Sequence, residues 1–161
     1  PGGVGGAPGG VTYGFKQEFG DNVYTFFAEP THAPCMTLGL ISGLHNEISA
    51  GDLGIDGRTE ADGLAVGRCS GLVSGQMEKL LNGCFTVDDE KLFKRLAQLK
   101  DLEGLFIEPS SCAGLEGLQY VIRGGENFPA PDENSTIIVW STGGNMVPAE
   151  EKVHYYERGK K

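Results

Sequence analysis

Hydrophobic positions along this chain alternate between short apolar runs and stretches with helical spacing. Val23-Tyr24-Thr25-Phe26-Phe27, Leu105-Phe106-Ile107 and Thr136-Ile137-Ile138-Val139-Trp140 are brief runs rich in β-branched and aromatic residues. That composition suits strands buried on both faces of a parallel sheet. Each run breaks off at turn-forming residues: Ala28-Glu29-Pro30, Glu108-Pro109 and Thr142-Gly143-Gly144. Between them the spacing predicts helices. One covers residues 11–19 and stops at Gly20, and another covers 34–44, weakened by Gly39 and Gly43. A third spans 64–81, with Val66, Val73, Met77, Leu80 and Leu81 at helical period and Gly83 as its stop. Thr86 and Asp89 resemble a capping box, and the helix they open carries Leu92, Phe93, Leu96, Leu99 and Leu102 on one face before Gly104. Ser110 caps a helix running towards Val121, and a last helix covers 149–158; residues 51–63 and 124–135 read as loops.

Strands separated by helices imply a mainly parallel sheet with helical crossovers, hence a three-layer α/β/α domain. Ligands of such sheets sit beyond the carboxyl ends of the strands, which here fall at Glu29, Glu108 and Thr142.

Composition narrows the function. The chain has 161 residues, enough for one domain with a core, and carries a net charge of -9. No cluster of Lys and Arg stands against that charge, so no nucleic-acid partner is expected. No apolar run reaches the roughly 20 residues that span a bilayer, and no signal pattern opens the chain, so the expectation is a cytoplasmic protein without a membrane partner. Cys35, Cys69, Cys84 and Cys112 form no close pair and are expected to be free thiols. Glycine is over-represented, at 26 residues, and the chain opens on Pro1; we expect part of a longer protein.

The candidate chemistry begins in the first ten residues, Pro1-Gly2-Gly3-Val4-Gly5-Gly6-Ala7-Pro8-Gly9-Gly10. Glycines let consecutive N–H groups turn inward, and a following helix adds its unpaired N–H groups and positive dipole end. Together they suit a phosphate without any cationic side chain. The alternative is a flexible linker.

Several blocks together resemble one family. Gly3-Val4-Gly5-Gly6 with Pro8-Gly9-Gly10, Phe27-Ala28-Glu29-Pro30-Thr31-His32, Ala61-Asp62-Gly63-Leu64-Ala65-Val66-Gly67-Arg68, and Trp140-Ser141-Thr142-Gly143-Gly144 with Met146-Val147-Pro148 are similar to the D-serine dehydratases. These are pyridoxal-phosphate enzymes of the tryptophan-synthase-like fold (fold type II). The resemblance implies that Gly3, Val4, Gly5, Gly6 and Ala7 cradle the phosphate of pyridoxal 5'-phosphate, and that the Thr142 hydroxyl faces its pyridine nitrogen. Read from the residues alone, Thr142 is an ordinary strand-end hydroxyl satisfying a turn. It also implies a cation site at Glu29, Ala33 and Cys35, better suited to K⁺ or Na⁺ than to a divalent ion because Cys35 replaces a hard ligand. The alternative for Glu29 is a structural cap or pair.

The activity implied is β-elimination of D-serine to pyruvate and ammonia, with D-serine as the small-molecule partner. The lysine through which this family attaches its cofactor, in a Ser-x-Lys-x-Arg-like segment, has no counterpart here. Lys16 follows Phe15 in the first helix, and Lys91, Lys94 and Lys100 read as surface charges. The expectation is therefore the carboxy-terminal part of the cofactor-binding large domain. The catalytic lysine and the small domain would lie in a missing amino-terminal part, and this chain would be inactive alone. The competing reading is a non-catalytic domain that binds a phosphate ligand or regulates. His32 and His45 read as simply solvated or hydrogen-bonded, and Arg68 has no assigned role.

Overall fold

The sheet has two strands. In the computed structural model, which describes residues 1–161, β1 (Phe26–Pro30) pairs in parallel with β2 (Gly83–Val87), from Phe26 opposite Gly83 to Pro30 opposite Val87. Alternation along β1 sends Phe27 and Ala28 into two separate cores. Phe27 packs with Cys35, Met36, Cys69 and Met77, beneath α2 (Cys35–Ser42) and α3 (Gly71–Leu80). Ala28 packs with Leu64, Val87, Leu92, Leu96, Cys112 and Ala113, beneath α4 (Asp89–Glu103) and α5 (Pro109–Val121). The first helix, α1 (Gly6–Phe19), lies against α3, and the last, α6 (Ala149–Gly159), lies against α4. Helices cover both faces of a parallel sheet, so the three-layer α/β/α expectation holds. No helix is long and apolar enough to cross a membrane.

The helical half of the pattern transfers well. In α4, Leu92, Phe93 and Leu96 are fully buried, and Gly104 closes the helix at φ 68° with its N–H on the Lys100 carbonyl. Leu102 leaves that face and is 80% exposed. The first helix starts at Gly6, five residues before the apolar run, so half of the glycine tract is helical. The third helix begins only at Gly71, where the Ser70 hydroxyl accepts from the Val73 N–H at 3.4 Å; residues 64–70 are loop and a short turn.

The strands differ more. β1 sits three residues later than its apolar run, so Ala28, Glu29 and Pro30 belong to the strand instead of ending it. Gly83 opens β2 where it was expected to stop a helix, because the Phe26 ring packs over it; a Cβ there would lie 3.2 Å from that ring. Thr86 is consequently a strand residue, and Asp88 takes the N-cap of α4. Residues 105–107 and 136–140 belong to no helix and to no strand of the sheet, so these two strand expectations fail. Glu108 caps α5 with Pro109 as its first residue, which leaves Ser110 inside the helix.

Candidate functional site

Gly5 caps α1 in the left-handed region, at φ 111° and ψ -13°. A side chain is excluded there twice over: the backbone is strained for an L residue, and a Cβ would meet Met36 Cε at 2.5 Å and Val73 Cγ1 at 3.0 Å. The loop is anchored from behind. The Gly2 N–H donates to the Ala28 carbonyl of β1 at 2.8 Å, the Val4 carbonyl accepts from Ser70 N–H at 2.9 Å, and the Gly5 carbonyl accepts from Gly9 N–H at 2.8 Å. By contrast, the N–H groups of Gly3, Val4, Gly5, Gly6 and Ala7 donate to no atom of the chain. Five consecutive donors, the last of them at a helix N-terminus, form a concavity for an anion with several acceptor oxygens. Lys16 is at the opposite end of α1, bonded to the Val23 carbonyl at 2.7 Å, so the site relies on backbone alone.

The loop of residues 61–69 joins this cradle to the N-terminus of α5. A Cβ at Gly3 would lie 3.2 Å from the Gly63 carbonyl oxygen, and the Gly63 N–H donates to Ser110 Oγ at 3.2 Å. Beside it the fully buried Ser111 holds Thr142: the Thr142 N–H donates to Ser111 Oγ at 3.2 Å, and the two hydroxyl oxygens are 3.3 Å apart. Space for that turn comes from Gly143, where a Cβ would meet the Glu108 carboxylate at 2.5 Å, and from Gly144 at φ 137°. Further back, the Gly114 position faces both Pro1 and the carbonyl of Trp140 at 3.8 Å. The glycine loop and the Thr142 segment thus flank the same helix. Ser110 and Ser111 were not singled out from the sequence as site residues; a Ser-Ser pair just after a helix-opening proline is the signal that marks them.

Glu29 makes the contacts expected of the structural alternative. Its carboxylate accepts the Met36 N–H on one oxygen at 2.7 Å, and the Thr37 N–H and hydroxyl on the other at 2.8 and 2.6 Å. This is the capping alternative, with a buried carboxylate on the N-terminus of α2. Burial pushes its pKa upward, against the lowering effect of these bonds. Cys35, the first residue of α2, is fully buried, and burial first and the Glu29 charge second raise its thiol to about 12, so it is a neutral S–H set between the Gly3 carbonyl, 3.4 Å away, and the Glu29 carboxylate. The Ala33 N–H donates to the Pro30 carbonyl. No three His, Cys, Asp or Glu side chains gather around one point, and a site of Glu29, Cys35 and the Ala33 carbonyl would offer one carboxylate beside a neutral thiol.

The remaining candidates have structural partners. His32 Nδ1 lies 2.7 Å from Asp56, which raises the imidazole's pKa by hydrogen bonding and charge. Arg68 donates to the Asn46 carbonyl at 2.6 Å and lies 3.5 Å from Asp52, tying two loops together.

Comparison with known proteins agrees with this geometry. A "probable D-serine dehydratase" of Halalkalibacterium halodurans is 54% identical over 165 residues, covering 99% of this chain and 37% of that protein. The D-serine dehydratase of Citrobacter koseri is 51% identical over 166 residues, covering 99% of this chain and 38% of its own length. The chain therefore spans well under half of these relatives. Among solved structures, the processed form of threonine deaminase isoform 2 from Solanum lycopersicum superposes with a TM-score of 0.73 at 23% identity, over 97% of this chain and 42% of that one. Serine racemase from Dictyostelium discoideum gives 0.57 at 25% identity, over 69% and 33%. Residues 1–143 match the family model described as "Pyridoxal-phosphate dependent enzyme". The unpaired loop donors, the parallel sheet that carries them and this match together place the chain in the pyridoxal-phosphate dependent enzyme family.

Proposed function

We propose that the protein carrying this chain eliminates the β-hydroxyl and amino groups of D-serine, giving pyruvate and ammonia, with pyridoxal 5'-phosphate as cofactor. The observation that carries the reading is the row of five unpartnered N–H groups from Gly3 to Ala7. It supports binding of a phosphate monoester, and the closely similar D-serine dehydratases supply the substrate class.

Bound there, the cofactor supplies an electron sink for the charge left when the α-proton is removed. The chain's own residues bind and orient. Gly3, Val4, Gly5, Gly6 and Ala7 hold the phosphate through N–H donors, stiffened by bonds to β1 and to the α3 N-cap. Thr142, held by Ser111, offers a neutral hydroxyl to the ring nitrogen. A neutral hydroxyl cannot keep that nitrogen protonated as a carboxylate would, which tempers the sink and suits elimination. The base that removes the α-proton is assigned to a lysine outside these residues, so this chain supplies binding and no acid–base group. A cation forms no part of the proposal, because Glu29 is committed to α2.

The test uses the full-length protein with added cofactor. D-serine should yield equimolar pyruvate and ammonia, read by a coupled lactate dehydrogenase assay, and L-serine should be turned over far more slowly. A cofactor-saturated protein that releases no pyruvate from D-serine would remove the catalytic reading and leave a phosphate-binding module.

A further inference from the structure

The first residue of the donor row rests against a turn. A Cβ at Gly3 would lie 3.2 Å from the Gly63 carbonyl oxygen and 3.7 Å from Leu64 Cα, both in the short turn Asp62–Leu64. Where that turn sits therefore bounds where Gly3 sits. The residues leading into it, 55–61, belong to no helix or strand, so side chains of the surrounding helices have to hold them. From α5, Ser110 Oγ accepts the Gly63 N–H at 3.2 Å. From α4, the Asp89 carboxylate accepts the Thr59 hydroxyl at 2.6 Å and the Glu60 N–H at 2.7 Å. From α6, Arg158 Nη1 donates to the Glu60 carboxylate at 2.9 Å. Ala61, the one residue between Glu60 and the turn, is fully buried, and its N–H donates back to the Thr59 hydroxyl at 3.1 Å. Residues 59–64 are thus tied together, and what holds Glu60 also holds the turn.

We propose that Arg158 is a positioning residue of the phosphate cradle: reaching from α6, it holds Glu60 and, through it, the turn against which Gly3 rests. The inference rests on the phosphate reading above and adds a residue that lies beyond the 1–143 stretch matched by the family model. Its support is how firmly Arg158 itself is placed. Its Nε and Nη2 donate to one Glu90 oxygen at 3.1 and 2.6 Å, and its guanidinium carbon stands 4.1 Å from the centre of the fully buried Phe93 ring. A planar cation fixed over a ring and forked onto α4 presents its last nitrogen to Glu60 in one direction. Next to it Gly159 lies so close to α4 that a Cβ would run into the Phe93 carbonyl. The other polar seat of α6 is separate: Asp101 accepts from Tyr156 at 2.6 Å and Lys160 at 2.7 Å, with no bond to residues 59–64.

The experiment compares Arg158→Ala, Glu60→Ala and their double variant in the full-length protein, with Asp101→Ala as the control that loosens α6 at its other seat. Equilibrium binding of pyridoxal 5'-phosphate and of phosphate-free pyridoxal is measured, together with stability to urea. Preference for the phosphorylated form should fall roughly threefold in Arg158→Ala and in Glu60→Ala, the scale of one partly exposed ion pair. The double variant should lose no more than either single one, because both remove the same pair. Asp101→Ala should lose stability and keep the wild-type preference. An unchanged preference in Arg158→Ala and Glu60→Ala would overturn the proposal. So would an equal loss in Asp101→Ala, which marks the seating of α6 alone, or a double variant in which the two losses compound. Should Arg158→Ala fail to fold, Glu60→Ala decides, since that side chain is half exposed. A wild-type protein that binds the phosphorylated form no better than pyridoxal fails the phosphate reading itself, a distinct result.

Discussion

Replacing Gly5 by alanine tests the cradle at its tightest point. Two costs follow from the structure. The residue sits at φ 111°, a region that costs an L side chain of order 1–3 kcal/mol. The new methyl would also stand 2.5 Å from Met36 Cε and 3.0 Å from Val73 Cγ1. Met36 is fully buried but its terminal methyl can swing, so the contact adds about 1 kcal/mol, the low end for overpacking. The sum is about 2–4 kcal/mol, borne either by the whole fold or by the loop leaving its position. If the loop yields, cofactor affinity falls roughly 30- to 900-fold. The control is Gly14→Ala, in the same helix, where a Cβ meets nothing within 4 Å and helix propensity favours alanine by about 0.5–1 kcal/mol. Cofactor titration and urea denaturation of the full-length variants read both routes. Gly5→Ala matching wild type in affinity and in stability would refute the geometry on which the site rests.

Further outcomes follow from the same contacts. Ser111→Ala removes the hydroxyl that holds Thr142, so D-serine turnover should fall roughly fivefold while cofactor affinity stays within about twofold. A matching loss of affinity would mean that Ser111 supports the phosphate loop instead. Burial raises Cys35, Cys84 and Cys112 to about 12, so at pH 8 about one thiol in 10⁴ is ionised. Iodoacetamide should spare all three in the native protein and label them in urea; rapid native labelling of Cys35 would contradict its burial. Because folding holds these thiols protonated, their contribution is complete below the ordinary 9.0 and is lost as pH rises towards about 12. His32 is raised by Asp56, so its imidazolium is favoured in the folded state, fully below 6.5, and that contribution is lost as pH climbs through the raised value. NMR titration should place His32 above 6.5, with Asp56→Asn bringing it back towards 6.5; no change would deny the pair.

Helices were legible where their own sequence decided them. The Gly104 stop and the Leu92, Phe93 and Leu96 face of α4 depend on local spacing, and the structure keeps them. Strands were less legible because a strand is defined by its partner. Residues 136–140 have the composition but pair with nothing, whereas β2 opens on a glycine, carries an exposed threonine, and pairs along its length with β1. The glycine tract shows both sides. The freedom of its N–H groups could be read from residue type, but its helical start could not, since glycine disfavours helices. Packing supplies the missing reason: a Cβ at Gly9 would lie 2.6 Å from Val73 Cγ1, so glycine lets α1 approach α3. Glu29 was correctly marked as a carboxylate with a task, yet the partner it caps lies seven and eight positions on, after a turn that no local pattern specifies.

Six helix N-termini could in principle attract an anion, and the chain answers five of them itself. Glu29 holds the start of α2, and the Ser70 hydroxyl caps α3. Asp89 and Glu90 stand in the first turn of α4, and Glu150 and Glu151 in that of α6. The start of α5 has Glu108 at the N-cap position, with no side-chain cap bond, and Asp62 lies 3.5 Å from Ser110 Oγ. Only α1 opens with neither an acidic residue nor a side-chain cap, and it is the one preceded by free donors from Gly3 onward. In a chain of net charge -9 there was no shortage of carboxylates to place there. α4, α5 and α6 make no side-chain cap bond either, but each begins at or beside an acidic residue, so α1 is the helix start with neither such a bond nor a negative charge beside it. That is the electrostatic feature the proposed phosphate site relies on, and a flexible glycine segment does not account for it.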